Sequence, residues 1–141
     1  QTAVEMGKSE VLHSGCKVAV LALGSMVEIC ADVCSELQKA GIDPTFVNAR
    51  FVKPLDVDLL DELAKDHSLF VTVEENVKSG GYGEHVSAYM EACHPEIRVL
   101  SAAVWDRFVP QGNVESLRSR IGLGVEDIRQ AIEDSEELRE Q

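Results

Sequence analysis

The chain of 141 residues lacks long hydrophobic runs, and its longest uninterrupted apolar stretch is residues 18–23. Because a membrane-spanning helix needs about 20 apolar residues, no transmembrane segment is expected. The first fifteen residues also lack the basic start and apolar block of a secretory leader. A secreted or membrane-embedded protein is therefore not expected.

Basic residues are scarce relative to acidic ones. Thirteen lysines and arginines stand against 25 aspartates and glutamates, which gives a formal net charge of −12. Such a chain repels the phosphate backbone of a nucleic acid, so nucleic-acid binding is not expected. Part of the negative charge lies in residues 133–141, an acidic tail of the kind found at solvated, fraying helix ends.

Cysteine pairs with metal-binding or redox spacing are missing as well. The four cysteines form no C-x-x-C motif and the four histidines show no zinc-ligand spacing, so neither a metal site nor a disulfide framework is expected. Cys30 and Cys34 fall on the apolar stripe of a predicted helix, where a free cysteine behaves as a small hydrophobic residue. Free thiols are typical of a reducing environment, which favours a cytoplasmic location.

From Lys8 onward, short apolar runs alternate with helical patterns, which is typical of a parallel sheet covered by helices. Strands are predicted at residues 10–13, 17–23, 43–49, 69–73 and 97–102. We therefore predict one three-layer α/β/α domain over residues 8–132. Residues 1–7 form a leading segment, and the acidic tail follows the domain.

Helices are predicted after each strand from the second onward. A capping box of Ser25 and Glu28 begins the first, and Gly41 ends it. The second begins at Pro54 and Asp56. Another is predicted from Asn113 to Gly122. The predicted buried stripes are Val27, Cys30, Cys34 and Leu37; Leu59, Leu60 and Leu63; Val86, Tyr89, Met90 and Cys93; and Val125, Ile128, Ala131 and Ile132.

In an open α/β sheet, ligands and partners meet the loops beyond the carboxyl ends of the parallel strands. Here these loops are residues 24–25, 48–54, 74–83 and 104–112, and we call them together the strand-end edge. This edge is predicted to be the working face because it gathers the unusual side chains of the sequence. They are Arg50, Lys53, Glu74, Glu75, Lys78, Trp105, Asp106 and Arg107.

Residues 80–83, which read G-G-Y-G between a strand and a helix, resemble a phosphate-binding loop. They match neither G-x-G-x-x-G nor the P-loop, and a tight turn whose glycines allow positive φ and close helix packing is favoured. Glu74 and Glu75 are disfavoured as an acid–base pair because adjacent strand residues point to opposite sides. A helix cap or a pair with Arg50 or Arg107 is favoured for one, and a partner contact for the other.

No nucleophile stands out. Three of the cysteines fall on predicted buried stripes, and Ser25 is accounted for as a helix cap. The histidines are scattered over a strand end, a loop, a helix face and a helix end, and each is expected at the surface or a boundary. They are His13, His67, His85 and His94.

Residues 48–56 read N-A-R-F-V-K-P-L-D, residues 71–76 read V-T-V-E-E-N, and residues 106–109 read D-R-F-V. These three stretches resemble segments of 1-deoxy-D-xylulose-5-phosphate synthases. Order and spacing agree from about Gly7 to Ile132, and the match is to the C-terminal domain of those enzymes, which is of the transketolase C-terminal type. The resemblance implies a five-stranded, mostly parallel sheet whose first strand, residues 10–13, runs antiparallel.

The resemblance also implies a reaction for the parent enzyme. The family condenses pyruvate with glyceraldehyde 3-phosphate, with loss of CO2, to give 1-deoxy-D-xylulose 5-phosphate, a precursor in isoprenoid and thiamine biosynthesis. It uses thiamine diphosphate and Mg2+, which are held by motifs of the two preceding domains that do not occur here. We therefore expect a fragment with no catalytic, cofactor-binding or metal-binding residue, inactive alone and binding no cofactor. Its expected partners are the preceding domains and the second subunit of a homodimer.

Within this resemblance, the residues that match family positions at the strand-end edge are expected to make structural or interdomain contacts. They are Arg50, Phe51, Lys53, Glu74, Glu75, Asp106, Arg107 and Phe108. Trp105 replaces a proline usual in the family, and residues 110–111, Pro-Gln, replace x-His, which removes any acid–base role of that loop. In the separated domain, an exposed apolar patch is expected near Phe51, Val52, Trp105 and Phe108.

Two alternatives remain at this point. The same domain type closes transketolases and the β-subunits of 2-oxo-acid dehydrogenases, although residues 48–56 argue against both. The second alternative is a stand-alone module that binds a small anion at the strand-end edge. The chain begins at Gln1 rather than Met, for which a piece of a longer protein is the simpler explanation.

Overall fold

The computed structural model describes residues 7–75, 81–104 and 125–135. The helix predicted from Asn113 to Gly122 lies outside these residues. None of the helices in the described part has the length and apolar character needed to cross a membrane. In chain order, the elements are β1 (Glu10–His13), β2 (Lys17–Ala22), α1 (Met26–Lys39), β3 (Thr45–Asn48), α2 (Val57–Ala64), β4 (His67–Glu75), α3 (Tyr82–Cys93), β5 (Arg98–Val104) and α4 (Val125–Glu133).

The five described strands form one mixed sheet in the order β1-β3-β2-β4-β5. The edge strand β1 runs antiparallel to β3, whereas β3, β2, β4 and β5 pair in parallel. This confirms the predicted sheet, including its antiparallel first strand. Because parallel strands end on one side, the carboxyl ends of β2, β3, β4 and β5 meet at the strand-end edge.

Strand β2 lies at the centre of the sheet and is buried on both faces, as its continuous apolar sequence predicts. Val18, Val20 and Ala22 pack in a core that includes residues of α1 and α4. Ala19 and Leu21 pack in a second core with residues of α2 and α3. Two cores, one on each face, confirm the three-layer arrangement.

Among the residues whose burial is described, the predicted helical stripes are buried or half-buried except at two positions. Cys30, Cys34 and Leu37 are buried on α1. Cys93 is exposed because it is the last residue of α3. Ala131 is exposed because α4 buries a narrower stripe, in which Ile128 and Ile132 are four residues apart.

The two ends of α1 test the capping predictions. At the carboxyl end, Gly41 has a φ of +91° and donates to Gln38 O, while the Ile42 N–H donates to Leu37 O. These two bonds form a Schellman motif and confirm Gly41 as the residue that ends the helix. At the amino end, Ser25 makes no side-chain cap, so the predicted capping box is wrong.

His67 is buried, which corrects the expectation that all four histidines lie at the surface or a boundary. It is the first residue of β4, and its Nε2 lies 2.7 Å from Thr45 Oγ1. That hydroxyl also accepts the Gly15 N–H at 2.9 Å, and His67 Nδ1 lies 2.9 Å from Leu63 O. The backbone at Gly15 lies very close to the backbone at Asp43, since a Cβ on Gly15 would lie 2.0 Å from Asp43 O.

A polar cluster joins α2 to α3 on one face of the sheet. The Tyr89 hydroxyl donates to Asp61 Oδ1 at 2.7 Å, and His94 Nε2 lies 2.7 Å from the same oxygen. These hydrogen bonds, first that of His94 and then that of Tyr89, lower the pKa of Asp61. The ionised carboxylate therefore contributes to stability above its unfolded-state pKa, and the contribution is lost as the pH falls.

Asp61→Asn should consequently destabilise the chain at neutral pH by an amount that shrinks in acid. We expect the difference in free energy of unfolding between wild type and D61N to decrease below about pH 4, near the ordinary aspartate pKa, as the wild-type carboxylate becomes protonated. Urea unfolding at several pH values measures it, with Asp32→Asn, an exposed position on α1, as the control. A difference that grew as the pH fell below about 4 would contradict the assignment.

The four thiols should divide into two pairs by reactivity. Burial raises the pKa of Cys30 and of Cys34 to about 12, whereas Cys16 and Cys93 are exposed. Because the thiolate is the reactive form, a thiol reagent at pH 8 should label two cysteines rapidly and the other two only after unfolding. A C16S/C93S variant that reacted rapidly while folded would contradict the buried stripe of α1.

Candidate functional site at the strand-end edge

The strand-end edge is described in part. Arg50, Phe51 and Lys53 follow β3, and Glu74 and Glu75 are the last two residues of β4. The remaining residues expected at this edge lie outside the described part of the chain: Lys78, Trp105, Asp106, Arg107 and Phe108.

Glu74, near the end of β4, caps the amino end of α3. Its side chain is buried, and its Oε1 accepts the Tyr82 N–H while its Oε2 accepts the Gly83 N–H, both at 2.7 Å. A helix leaves its first N–H groups without intrahelical partners, and a carboxylate there also complements the helix dipole. Glu74 therefore occupies the position that a phosphate would take at this helix, and residues 81–83 do not serve as a phosphate loop.

The glycines of the G-G-Y-G motif make room for this carboxylate. A Cβ on Gly81 would lie 2.6 Å from Glu74 Oε1, and a Cβ on Gly83 would lie 2.8 Å from Glu74 Oε2 and from Thr72 Oγ1. Gly81 has a φ of −71°, so the expected positive φ is wrong at this position. Glycine is needed here because the helix approaches Glu74 closely, which agrees with the predicted close helix packing.

Tyr82, between these glycines, is buried with its hydroxyl neutral. Burial, followed by the negative charges of Asp56 and Glu74, raises the pKa of Tyr82. The Tyr82 ring therefore packs in the second core, and its neutral hydroxyl offers no general base at neutral pH.

Glu75 contacts the start of α1, which belongs to the opposite helical layer. The Ser25 hydroxyl donates to Glu75 Oε2, which is why Ser25 does not cap its own helix. Successive strand residues point to opposite faces, so the two glutamates reach different helices. Each carboxylate is engaged in architecture, which agrees with the expected helix cap for one of them.

A small cleft of about 170 Å³ opens where these elements meet. Among the described residues, its walls combine the two glutamates with apolar and small residues and include no lysine or arginine: Leu23, Gly24, Ser25, Val52, Glu74, Glu75 and Gly81. Across the described residues, no group of three or more histidine, cysteine, aspartate or glutamate side chains is placed to hold a metal ion.

Arg50 lies in a strained turn directly after β3. Its φ is +69°, and the Phe51 N–H donates to Ala49 O across it at 2.7 Å, which makes a γ-turn. Its guanidinium pairs with Glu10 Oε1 at 2.7 Å. Sequence reasoning offered Glu74 or Glu75 as its partner; the partner is instead the first residue of β1, which no spacing rule indicates.

None of the three residues that follow Arg50 is fully buried. Phe51 and Val52 are half-buried, and Lys53 is exposed. The exposed apolar patch stays a prediction, because Phe51 and Val52 are only half-buried and Trp105 and Phe108 lie outside the described residues.

Ser9 and Asp56 form a contact at this edge that the sequence analysis did not predict. The Ser9 N–H donates to Asp56 Oδ2 at 2.8 Å, and the Ser9 hydroxyl donates to Ala49 O at 3.0 Å. Asp56 also accepts the Leu59 N–H with Oδ1 at 3.2 Å, which caps α2 as predicted. The cap was readable from the sequence, but a contact across 47 residues was not.

Comparisons with known proteins bear on the whole chain. The family model for the transketolase C-terminal domain matches residues 7–128. A 1-deoxy-D-xylulose-5-phosphate synthase of Lachnoclostridium phytofermentans is 44% identical over 123 residues, which cover 86% of this chain and 20% of that protein. The corresponding synthase of Dictyoglomus thermophilum is 43% identical over 129 residues, covering 92% and 21%. The chain thus spans about a fifth of the length of these relatives.

Solved structures agree on the fold. A split-gene transketolase, described as an inactive β4 tetramer, is 30% identical with a TM-score of 0.80, covering 98% of this chain and 44% of that one. A transketolase of Campylobacter jejuni is 20% identical with a TM-score of 0.57, covering 92% and 19%. The latter supports the fold alone.

The two glutamates should differ sharply when neutralised. Glu74→Gln loses one of two charge-assisted bonds to α3 and places an NH2 group against a backbone N–H, so it should destabilise the chain by about 1.5–3 kcal/mol. Glu75→Gln, whose partner Ser25 is exposed, should change stability by less than about 1 kcal/mol. Chemical unfolding of both variants measures this, and equal losses would contradict the roles assigned here.

Proposed function

Because the chain belongs to the transketolase C-terminal domain family, we propose that it is the C-terminal domain of a 1-deoxy-D-xylulose-5-phosphate synthase. The observation that carries the proposal is the 44% and 43% identity to two enzymes of that name over most of this chain. In this proposal the parent enzyme makes 1-deoxy-D-xylulose 5-phosphate and CO2 from pyruvate and glyceraldehyde 3-phosphate.

The role of this domain is to support the enzyme rather than to carry its chemistry. Glu74 caps α3, Glu75 holds Ser25, and Arg50 pairs with Glu10. These charged groups are therefore engaged within the domain. The strand-end edge then offers a shaped surface that docks against the preceding domains and the second subunit of a dimer.

The described residues do not fit thiamine diphosphate or Mg2+ at this edge. The amino end of α3, the natural place for a diphosphate, is occupied by Glu74, and the glutamates of the cleft would repel the anion. We assign both cofactors to the preceding domains of the parent enzyme, and no catalytic step to this chain.

A second candidate stays within the family. The match to the split-gene transketolase covers 98% of this chain. A transketolase subunit that contains this domain is therefore the alternative enzyme. The higher identity to the synthases and the N-A-R-F-V-K-P-L-D sequence of residues 48–56 favour the synthase.

The activity test compares two proteins. The longer protein that contains this chain, supplied with thiamine diphosphate and Mg2+, should release CO2 from pyruvate in the presence of glyceraldehyde 3-phosphate and form 1-deoxy-D-xylulose 5-phosphate. The 141-residue chain alone should form none. A longer protein that transferred two-carbon units between sugar phosphates instead, with no CO2 released, would favour the transketolase.

Anion binding separates the stand-alone module from the domain. Inorganic phosphate and glyceraldehyde 3-phosphate, titrated into the isolated chain and followed by calorimetry or NMR shifts, should show no saturable micromolar binding. Saturable binding with shifts at Tyr82 and Gly83 would contradict the proposed role, because it would require a ligand to displace Glu74.

A further inference from the structure

Four consecutive residues at the start of the described chain, residues 7–10, contact either the loop that joins β3 to α2 or the first turn of α2. Gly7 packs on Pro54, since a Cβ at Gly7 would lie 2.8 Å from Pro54 Cγ. Lys8 Nζ lies 3.6 Å from Asp58 Oδ2. Such contacts differ from those of a flexible linker, which runs through solvent without fixed partners.

The polar contacts of the segment are centred on Ser9. Its N–H donates to Asp56 Oδ2 and its hydroxyl to Ala49 O, at 2.8 and 3.0 Å. One residue on, Glu10 pairs with Arg50 at 2.7 Å. The segment thus contacts both the beginning of the loop, where Ala49 and Arg50 follow β3, and its end, where Asp56 caps α2.

These contacts are more than the sheet requires. β1 is already attached by pairing with β3, beginning at the Glu10–Asn48 register. The bonds of Ser9 and the packing of Gly7 lie before that pairing and extend the attachment toward the beginning of the chain. Gly7 has a φ of +77°, a conformation that favours glycine, so the direction of the backbone is set there as well.

We propose that residues 7–10 form a strap that couples the preceding part of the enzyme rigidly to the strand-end edge, with Asp56 as its positioning residue. The proposal rests on the proposed function, since it takes the chain to continue a longer protein. One carboxylate holds the strap through Oδ2 and the start of α2 through Oδ1. The preceding domain and the loop that carries Arg50 therefore move as one unit.

Asp56→Asn separates the two roles of the carboxylate. Asparagine caps helices about as well as aspartate, so its oxygen can keep the Leu59 N–H while its NH2 group faces the Ser9 N–H and accepts nothing from it. The strap loses its central bond and α2 keeps its cap. Glu62→Gln, an exposed change on the same helix, is the matched control.

The first measurement is amide hydrogen exchange of the 141-residue chain by NMR. In the wild type and E62Q, the Ser9 amide should be protected, and in D56N its exchange should be at least tenfold faster, while the Leu59 amide changes by less than threefold. If D56N does not fold, Ser9→Ala provides a second test, since it removes only the hydroxyl bond to Ala49 O. In that variant, exchange of the amide at position 9 should still be faster than in the wild type. Unchanged Ser9 exchange in the variants that fold would overturn the strap.

The second measurement uses the longer protein that contains this chain. Limited proteolysis before Lys8 should be at least fivefold faster in D56N than in E62Q, and kcat should fall by at least threefold with the KM for pyruvate changed less than twofold. Unchanged proteolysis and kcat in D56N would overturn the coupling. If the longer protein proves to catalyse another reaction, exchange at Ser9 and the proteolysis rate still test the strap, so failure of the proposed function is distinguished from failure of this inference.

Discussion

The bond pair between Glu74 and the first N–H groups of α3 is the interaction on which the strand-end edge depends. A buried carboxylate is unfavourable unless its oxygens are satisfied, and both oxygens of Glu74 accept backbone N–H groups at 2.7 Å. A Cβ atom at position 81 or 83 would overlap the carboxylate, so this arrangement requires glycine at both positions. Glu75, the next residue, holds the opposite layer through Ser25. One Glu-Glu pair at the end of a central strand therefore anchors both helical layers.

The same arrangement explains why a charged edge need not be a catalytic edge. Parallel sheets place loops, helix amino termini and polar side chains together, and ligands commonly bind there. In this chain Arg50 pairs with Glu10 and Asp56 accepts the Ser9 N–H, so both charged side chains have partners in the same domain. In the described part of the edge, both glutamates are likewise held by residues of this domain, which suits an architectural role.

The fold was predictable from the sequence because its signals are local. The β-branched run of β2, the cap at Asp56 and the glycine at Gly41 each follow from neighbouring residues, and the structure confirms them. The errors arise where a distant residue competes. Ser25 gives its hydroxyl to Glu75 rather than to its own helix, and His67 is buried because Thr45 and Leu63 supply partners for both ring nitrogens. At the edge, sequence reasoning located the important residues and the helix cap made by one glutamate. It did not locate the partners of Glu75 and Arg50, since those lie 50 and 40 positions away.

The claim that the strand-end edge is an interface is tested most directly by hydrogen exchange measured on this chain alone and on the longer protein that contains it. If the edge is an interface, peptides covering residues 49–56 and 74–83 should exchange more slowly in the longer protein. Peptides around Gly15 and Asp43, at the opposite ends of the strands, should exchange equally in both. Equal exchange at residues 49–56 and 74–83 in the two proteins would contradict the account.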